Sequence, residues 1–392
     1  MKPSLAIILA GVLASGAAAA QSGGPIKLGV LYPLTGGPSI YGVPAMAGHK
    51  MAIDELNAKG GVMGRKVESF ERDEKATPAV GSAAAKELIA KDGVHMLLGA
   101  IPSSVGLAIS EVARQEKIPY LATIPKSVQI LGEKFHKYVF RTASDTDEEG
   151  RVMSMWMKKL GVKKVCSIML DYAYGLDLEQ GIDKAMKTEA PDAQVILRLK
   201  AKLGATDFNA FIPQIMSAGC DGVTSSLWGP HFIAFVQQAK PLGLFDKVKF
   251  LGGGEVGSHE VAGTLKGDYP DNVVSNTYEL WYNDSVPKHK VFQAELAKRL
   301  GTQETPMWSM LGYNGVMFAA AAIEKAKSTD PEKLVAALEG LSIDSPVGKI
   351  TIDAKTHQAD IGQFWGPMTK IPGKEYREMK PAEYIPLKIA TH

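Results

Sequence analysis

The sequence has 392 residues, a formal net charge of +2, and 45% hydrophobic against 22% charged residues. This composition is ordinary for a globular protein, and the near-neutral charge argues against a nucleic acid or an anionic membrane surface as the main partner. The length exceeds one comfortable hydrophobic core, so we expect two domains.

The N-terminus is typical of a cleavable secretory signal over residues 1–20. A basic start at Lys2 precedes an apolar run over 5–13 and the small residues 17–20. The run is too short for a retained membrane anchor, which is the alternative. We therefore expect cleavage near Ala20-Gln21 and a mature protein that works outside the cytoplasm.

Short apolar runs alternate with helical stretches over the first hundred residues of the mature chain. Strands are predicted at 26–34, 67–72, 94–99 and 118–123, and helices at 44–58, 77–91 and 103–115. Thr77-Pro78 is typical of an N-cap followed by proline at the first helical position. The alternation predicts a parallel sheet with helices on both faces.

The same alternation then begins again. Strands are predicted at 164–170, 194–199, 222–226 and 248–251, and helices at 145–160, 175–188, 207–218 and 230–242. The last third contains strands at 273–280, 349–353 and 363–369, and helices at 288–300, 305–326 and 331–341. Because three successive helices are best used to cover a sheet that already exists, we expect the chain to return to the first unit and to end on the second.

Ligands of open parallel sheets bind beyond the carboxyl ends of the strands, where loops lead into helices. Such a loop follows the first predicted strand and contains Tyr41. The loop after the third strand brings Ser103 and Ser104 to a helix start, where free N–H groups favour an anion such as a carboxylate. For Ser103 the alternative is a hydroxyl that only caps its own helix.

Five further candidates follow later strands. Thr123 and Lys126 follow the fourth strand, and Lys126 is either an anion contact or an ordinary solvated lysine. Tyr174 and Trp228 follow strands of the second unit and either form apolar walls with a polar tip or pack at the sheet rim. Glu255 either accepts from an ammonium or caps the helix that begins near residue 258.

The two cysteines are Cys166 and Cys220. An oxidising compartment would permit a disulfide, but Cys166 lies in an apolar run, where a buried free thiol is the commoner outcome. We therefore expect the two residues to remain unpaired. The eight histidines are scattered and no Cys-x-x-Cys occurs, so we expect no zinc site, and we expect no cofactor.

Taken together, these loops resemble those of the extracellular solute-binding proteins of ABC importers, in the leucine/isoleucine/valine-binding (type I) family. The resemblance covers nearly the whole mature chain. Its strongest passages are GVLYPLTG at 29–36, IDELNAKGGV at 53–62, DYAYG at 171–175 and GYNG at 312–315.

The resemblance implies two doubly wound α/β lobes joined by three crossing segments. Residues 26–142 and 277–346 would form the first lobe, and residues 143–276 and 347–392 the second. The lobes would close around a small solute and present it to the permease subunits of the membrane. We expect a monomer that binds no nucleic acid.

By position, Ser103 and the loop 123–126 match the place where the family holds a ligand carboxylate, with Ser104 beside it. Tyr41, Tyr174 and Trp228 match aromatic wall positions, and Glu255 lies near the acid that holds a ligand ammonium. The resemblance therefore implies a branched-chain or other hydrophobic amino acid as the solute.

The sequence departs from the family pattern in three places, and the first two departures favour a second solute class. Lys126 stands where a small hydroxyl residue is expected, an extra glycine in 252–254 shifts the alignment of Glu255, and Ala76 and Pro102 replace a cysteine pair. The alternative solute is an aromatic or short aliphatic carboxylic acid, or an amide, without an ammonium group.

We do not expect an enzyme. Gly252-x-Gly254-x-x-Gly257 with Glu279 beyond it has the spacing of a dinucleotide fingerprint, but it occurs late in the second unit rather than in a first strand–helix turn. The sequence has no Gly-x-Ser-x-Gly elbow and no His-Glu-x-x-His. A soluble sensor with the same fold is a further alternative.

Overall fold

The structure is a computed structural model that describes residues 23–283 and 285–387. The predicted signal segment lies outside the described residues. Among the described helices, none combines the length and the apolar composition that crossing a bilayer requires.

A five-stranded parallel sheet forms the first lobe. Its strands are β1 Ile26–Tyr32, β2 Val67–Asp73, β3 Met96–Gly99, β4 Tyr120–Ala122 and β5 Val139–Arg141, in the order β2-β1-β3-β4-β5. The helices between them are α1 Ser39–Ala58, α2 Pro78–Glu87, which continues as a π-helical turn, and α3 Ser103–Glu116.

The second lobe begins with α4 and ends, before the chain returns, with β10. Its elements are α4 Thr146–Leu160, β6 Lys164–Leu170, α5 Ala173–Glu189, β7 Gln194–Ala201, α6 Ile212–Ala218, β8 Gly222–Ser225, α7 Gly229–Ala239, α8 Leu244–Lys247, β9 Lys249–Gly252, α9 His259–Leu265 and β10 Val273–Thr277.

The chain then passes back to the first lobe and finally again to the second. The remaining elements are α10 Pro287–Leu300, α11 Trp308–Ala326, α12 Pro331–Leu338, β11 Ser342–Ser345, β12 Gly348–Thr351, β13 Gln363–Lys370, β14 Arg377–Met379 and β15 Glu383–Ile385. The second sheet has the order β14-β13-β10-β9-β8-β6-β7, and β15 pairs with β13. Strands β6 to β10 are parallel, and the C-terminal strands join antiparallel.

Close packing of α1 against α11 positions one wall of the cleft between the lobes. A Cβ on Gly312 would lie 1.9 Å from the carbonyl oxygen of Ala45, so only glycine permits this approach. Nearby, the Tyr313 hydroxyl donates to Glu55 Oε2 at 2.8 Å. Two of the passages that carry the family resemblance thus hold the two helices together.

The predicted α/β class, with two lobes and parallel sheets, is confirmed. The helix predicted from residue 207 begins only at Ile212, and the short strands β5, β11, β14 and β15 were not predicted. The lobe boundaries within the chain stay a prediction.

The expectation of two unpaired cysteines is wrong, because Cys166 and Cys220 form a disulfide with a Cα–Cα distance of 5.7 Å. Cys166 lies on β6, and Cys220 lies two residues before the neighbouring parallel strand β8. The apolar run around Cys166 reports its burial, but it carries no information about which distant residue lies beside it.

Candidate ligand-binding cleft

A cavity of about 300 Å³, including the part open to solvent, lies between the two lobes. It sits beyond the carboxyl ends of strands from both sheets, which is where ligands of parallel sheets bind. Its lining residues are Tyr41, Ile101, Ser103, Ile124, Lys126, Tyr172, Tyr174, Trp228, Gly254, Glu255 and Trp308.

Three aromatic rings form one wall. The ring of Tyr41, on α1, lies 4.3 Å from that of Trp308 at the start of α11 and 5.7 Å from that of Trp228 in the second lobe. The Tyr41 hydroxyl donates to the Gly254 carbonyl at 3.1 Å and accepts from the Gly229 N–H at 2.9 Å. Tyr41 therefore joins the lobes through two hydrogen bonds.

Ser103 is buried at the first turn of α3, and its hydroxyl does not cap its own helix. Its Oγ accepts from the N–H groups of Lys126 at 3.2 Å and Ser127 at 3.1 Å. Because two donors occupy the oxygen, the hydroxyl hydrogen is left to donate elsewhere. The first N–H groups of α3 also have no acceptor within the helix.

Next to Ser103, the cleft holds a buried ion cluster. Lys126, only 4% exposed, donates from Nζ to Glu149 Oε2 at 2.9 Å and to Glu255 Oε1. Lys126 follows β4 of the first lobe, whereas Glu149 lies on α4 and Glu255 follows β9 of the second. Lys126 is therefore an interlobe contact, and the alternative of a solvated surface lysine is wrong.

Neutral donors complete the shell of both carboxylates. Glu149 Oε1 accepts from the Tyr174 hydroxyl at 2.9 Å, the Gly254 N–H at 2.8 Å and Asn276 Nδ2 at 3.2 Å. Glu255 Oε1 accepts from Gln363 Nε2 at 2.6 Å. The side chain of Glu255 does not cap the following helix, so the alternative interpretation of this residue as a helix cap is wrong.

The backbone of Glu255 is held in the left-handed region, with φ of 55°. Its N–H donates to Asn276 Oδ1 at 3.0 Å, which fixes this conformation. A residue other than glycine pays about 1–3 kcal/mol for such a backbone, and such strain is concentrated at functional sites. From this backbone the carboxylate of Glu255 reaches the Lys126 ammonium.

Burial and charge act in opposite directions on this cluster. Burial disfavours the charged form of Lys126, but Glu149 and Glu255 outweigh it and raise the pKa of the Lys126 ammonium. Burial raises the pKa of Glu255, because it disfavours the charged carboxylate; the positive charge of Lys126 opposes this shift, and the negative charge of Glu149 adds to it.

Of the eight residues predicted from the sequence, six line the cavity, whereas Ser104 and Thr123 do not. Ser104 is half-buried beside it, and the Thr123 hydroxyl pairs with that of Tyr32 at 2.8 Å. Sequence reasoning missed Glu149 and Trp308. Glu149 sits in a first turn with Asp147 and Glu148, a pattern that ordinarily marks a solvated helix start.

Comparison with known proteins agrees with this architecture. The sequence profile described as periplasmic binding protein matches residues 25–364. The chain belongs to the periplasmic binding proteins of the Leu/Ile/Val-binding type. Members of this family are solute-binding transport proteins rather than enzymes.

Individual relatives of this periplasmic binding protein differ in the solutes they are named for. It is 27% identical over 333 residues to the leucine-, isoleucine-, valine-, threonine- and alanine-binding protein of Pseudomonas aeruginosa, which covers 84% of this chain and 86% of the relative. It is also similar to an ABC transporter solute-binding protein of R. palustris solved in complex with 4-hydroxybenzoate. The two chains are 26% identical with a TM-score of 0.83, and the match covers 92% of this chain and 97% of the R. palustris chain.

A third similarity concerns the fold alone. A branched-chain amino acid substrate-binding protein of Streptococcus pneumoniae, solved in complex with isoleucine, has a TM-score of 0.79 at 20% identity and covers 92% of this chain and 99% of its own. The fold is therefore shared by proteins for amino acids and for aromatic acids.

Proposed function

We propose that this protein is the periplasmic solute-binding component of an ABC importer, and that it captures a small carboxylate with an apolar, aromatic body. The observation that carries the proposal is the pairing, in one cleft, of an anion-binding end around Ser103 and Lys126 with a wall of three aromatic rings. Lobe closure would then deliver the solute to the permease.

The anion-binding end has unused donors. The Ser103 hydroxyl hydrogen, the first N–H groups of α3 and the third N–H of the Lys126 ammonium can all point at a carboxylate. Charge-assisted hydrogen bonds contribute about 1.5–3 kcal/mol each, and a micromolar dissociation constant corresponds to about −8 kcal/mol. Two or three such bonds, together with burial of the apolar body of the solute, therefore suffice for micromolar affinity.

The aromatic wall favours a planar ring. Ring pairs contribute about 0.5–1.5 kcal/mol beyond the burial of their area. Among the described residues, Trp308 Nε1 is buried without a hydrogen-bond partner, so that an oxygen on the ring of the solute would satisfy it. The similarity to the R. palustris protein in complex with 4-hydroxybenzoate supports the same class.

The second candidate solute is a branched-chain or other hydrophobic amino acid. It is favoured by Glu255, a carboxylate in the cleft wall, and by the Pseudomonas aeruginosa relative. Under either candidate we expect a monomeric protein that reaches the periplasm through a cleaved signal over residues 1–20.

A solute panel tests the proposal. The mature protein is titrated calorimetrically with benzoate, 4-hydroxybenzoate, leucine and isoleucine, after a thermal-shift screen of the same compounds. We expect an aromatic acid to bind, and Ser103→Ala to weaken it at least about tenfold, with Ser104→Ala as the matched control that leaves it unchanged. No binding of any panel member at about 1 mM would contradict the proposal.

A further inference from the structure

We infer that Lys126 determines the solute class of this cleft, because its ammonium occupies the place that the ammonium of an amino acid would take. The cleft would therefore select carboxylates without an ammonium over the corresponding α-amino acids. This inference rests on the proposed function, which is solute binding between the lobes.

The first argument is geometric. Both Lys126 and Glu255 line the cavity, and Nζ lies within hydrogen-bond distance of carboxylates from two different elements of the second lobe. The side chain extends from the first lobe to acids of the second. Lys126 thus presents an ammonium, tethered to the chain, to the acids Glu149 and Glu255.

The second argument concerns acceptor capacity. A carboxylate offers about four lone-pair sites. Glu149 accepts from Lys126 Nζ, Tyr174, the Gly254 N–H and Asn276, which fills that number. Glu255 accepts from Lys126, Gln363 and Asn276, all on Oε1. At Glu149 an incoming ammonium would have to displace donors that the protein already supplies, and at Glu255 it would share the carboxylate with the Lys126 ammonium.

The third argument is electrostatic. An amino acid would bring a second ammonium beside that of Lys126 into a site shielded from water, where like charges repel strongly and burial of each cation is costly. A carboxylate without an ammonium avoids this repulsion and can accept the remaining Lys126 N–H, and the raised pKa of the buried Glu255 limits the negative charge that this carboxylate meets. Replacing Lys126 by a small hydroxyl residue would remove the tethered cation and leave both acids for a solute ammonium.

Matched pairs of solutes isolate the ammonium. Leucine and 4-methylpentanoate differ only in that group, as do phenylalanine and 3-phenylpropanoate. For the wild type, calorimetry should give at least about tenfold tighter binding of the amino-free member of a pair. Lys126→Ser should reverse the preference, whereas Lys134→Ser, at an exposed lysine, should leave it unchanged.

The double variant Lys126→Ser/Glu255→Gln tests the origin of any gain. Amino-acid binding that appears in Lys126→Ser and falls again in the double variant supports the inference. A folded Lys126→Ser, judged by circular dichroism, with no gain in amino-acid affinity overturns it. Should that variant not fold, the wild type decides, because equal or tighter binding of leucine than of 4-methylpentanoate overturns the inference as well.

The same data separate this inference from the proposed function. A wild type that binds none of the panel compounds contradicts the proposed function, whatever Lys126→Ser does. If the wild type binds aromatic acids and Lys126→Ser keeps the same preference for the amino-free member of each pair, only the role of Lys126 is contradicted.

Discussion

The two walls of the cleft carry opposite chemistry. The first lobe presents donors, the Ser103 hydroxyl and the Lys126 ammonium, whereas the second lobe brings two acids to that ammonium, Glu255 in the cavity wall and Glu149 on α4. Both acids form ion pairs with the Lys126 ammonium, which the first lobe supplies. The protein's own side chains therefore supply part of the polar contact between the lobes, and a bound solute would add further contacts.

Removal of Glu149 should have the largest effect on the stability of the protein. Glu149→Ala leaves the Lys126 ammonium with one acid and strands the donors of Tyr174 and Gly254, so we expect a loss of about 3–5 kcal/mol in the free energy of unfolding. Urea denaturation measures it. Asp147→Ala, on the same helix but exposed, is the control, and equal effects of the two variants would contradict the assignment.

The disulfide distinguishes the second lobe from the first. The bond closes a sequence separation of 54 residues, so Cys166→Ala/Cys220→Ala should lower the free energy of unfolding by about 2–4 kcal/mol. Urea denaturation of the wild type with and without dithiothreitol should give a difference of the same size. No effect of the reductant on a protein with demonstrably free thiols would refute the expectation.

Glu74 shows what happens to an acid of the first lobe that lacks a cation. It is buried behind Ile101, whose N–H donates to Oε1 at 3.3 Å, and Oε2 has no partner among the described residues. Burial raises the pKa of Glu74 to about 8. The folded state thus keeps a proton that the unfolded chain loses near its ordinary pKa, so stability falls as pH rises through this window.

Glu74→Gln should remove that fall. Relative to the wild type, the variant should gain stability between pH 5 and pH 8, with a slope of at most about 1.4 kcal/mol per pH unit. Denaturant titrations at several pH values measure the slope, and Glu133→Gln, at an exposed acid, serves as the control. A difference between variant and wild type that is independent of pH would show that Glu74 is ionised in the folded state.

The smallest expected effect concerns Tyr41, which touches both walls. Tyr41→Phe removes the hydrogen bonds to Gly229 and Gly254, so closure should become less favourable and solute affinity should fall by about tenfold. Tyr32→Phe removes a buried hydroxyl that bonds only within the first lobe and should leave affinity unchanged. Calorimetry with the tightest-binding panel member compares them, and equal losses would argue against an interlobe role.

Much of the fold could be predicted because the alternation of strands and helices is a local signal. The passages around Gly312 and Glu55 also have a local reason, because the close contact between α1 and α11 requires a glycine at 312 and is joined by a hydrogen bond to Glu55. The strand β5 was missed because three residues, Val139–Arg141, are too few for a periodic pattern. The disulfide was missed because pairing of β6 with β8 is a property of the folded sheet.

The candidate site was predicted where it depends on loops that follow strands, as for Tyr41, Ser103 and Lys126. Trp308 could not be found in this way, because it reaches the cleft from the start of a helix that follows no strand. Glu149 resembles its acidic neighbours in sequence, and only the packing of α4 distinguishes the fully buried Glu149 from the partly exposed Asp147.

The two indoles that flank Tyr41 also give this protein an optical property. The sequence contains five tryptophans, and Trp228 and Trp308 lie in the cleft on opposite lobes. Their emission should respond when a solute binds in the cavity that the two indoles line, so that occupancy can be read without an attached dye. Such a chain, immobilised on a surface, would serve as a reagent-free detector for the compound it captures.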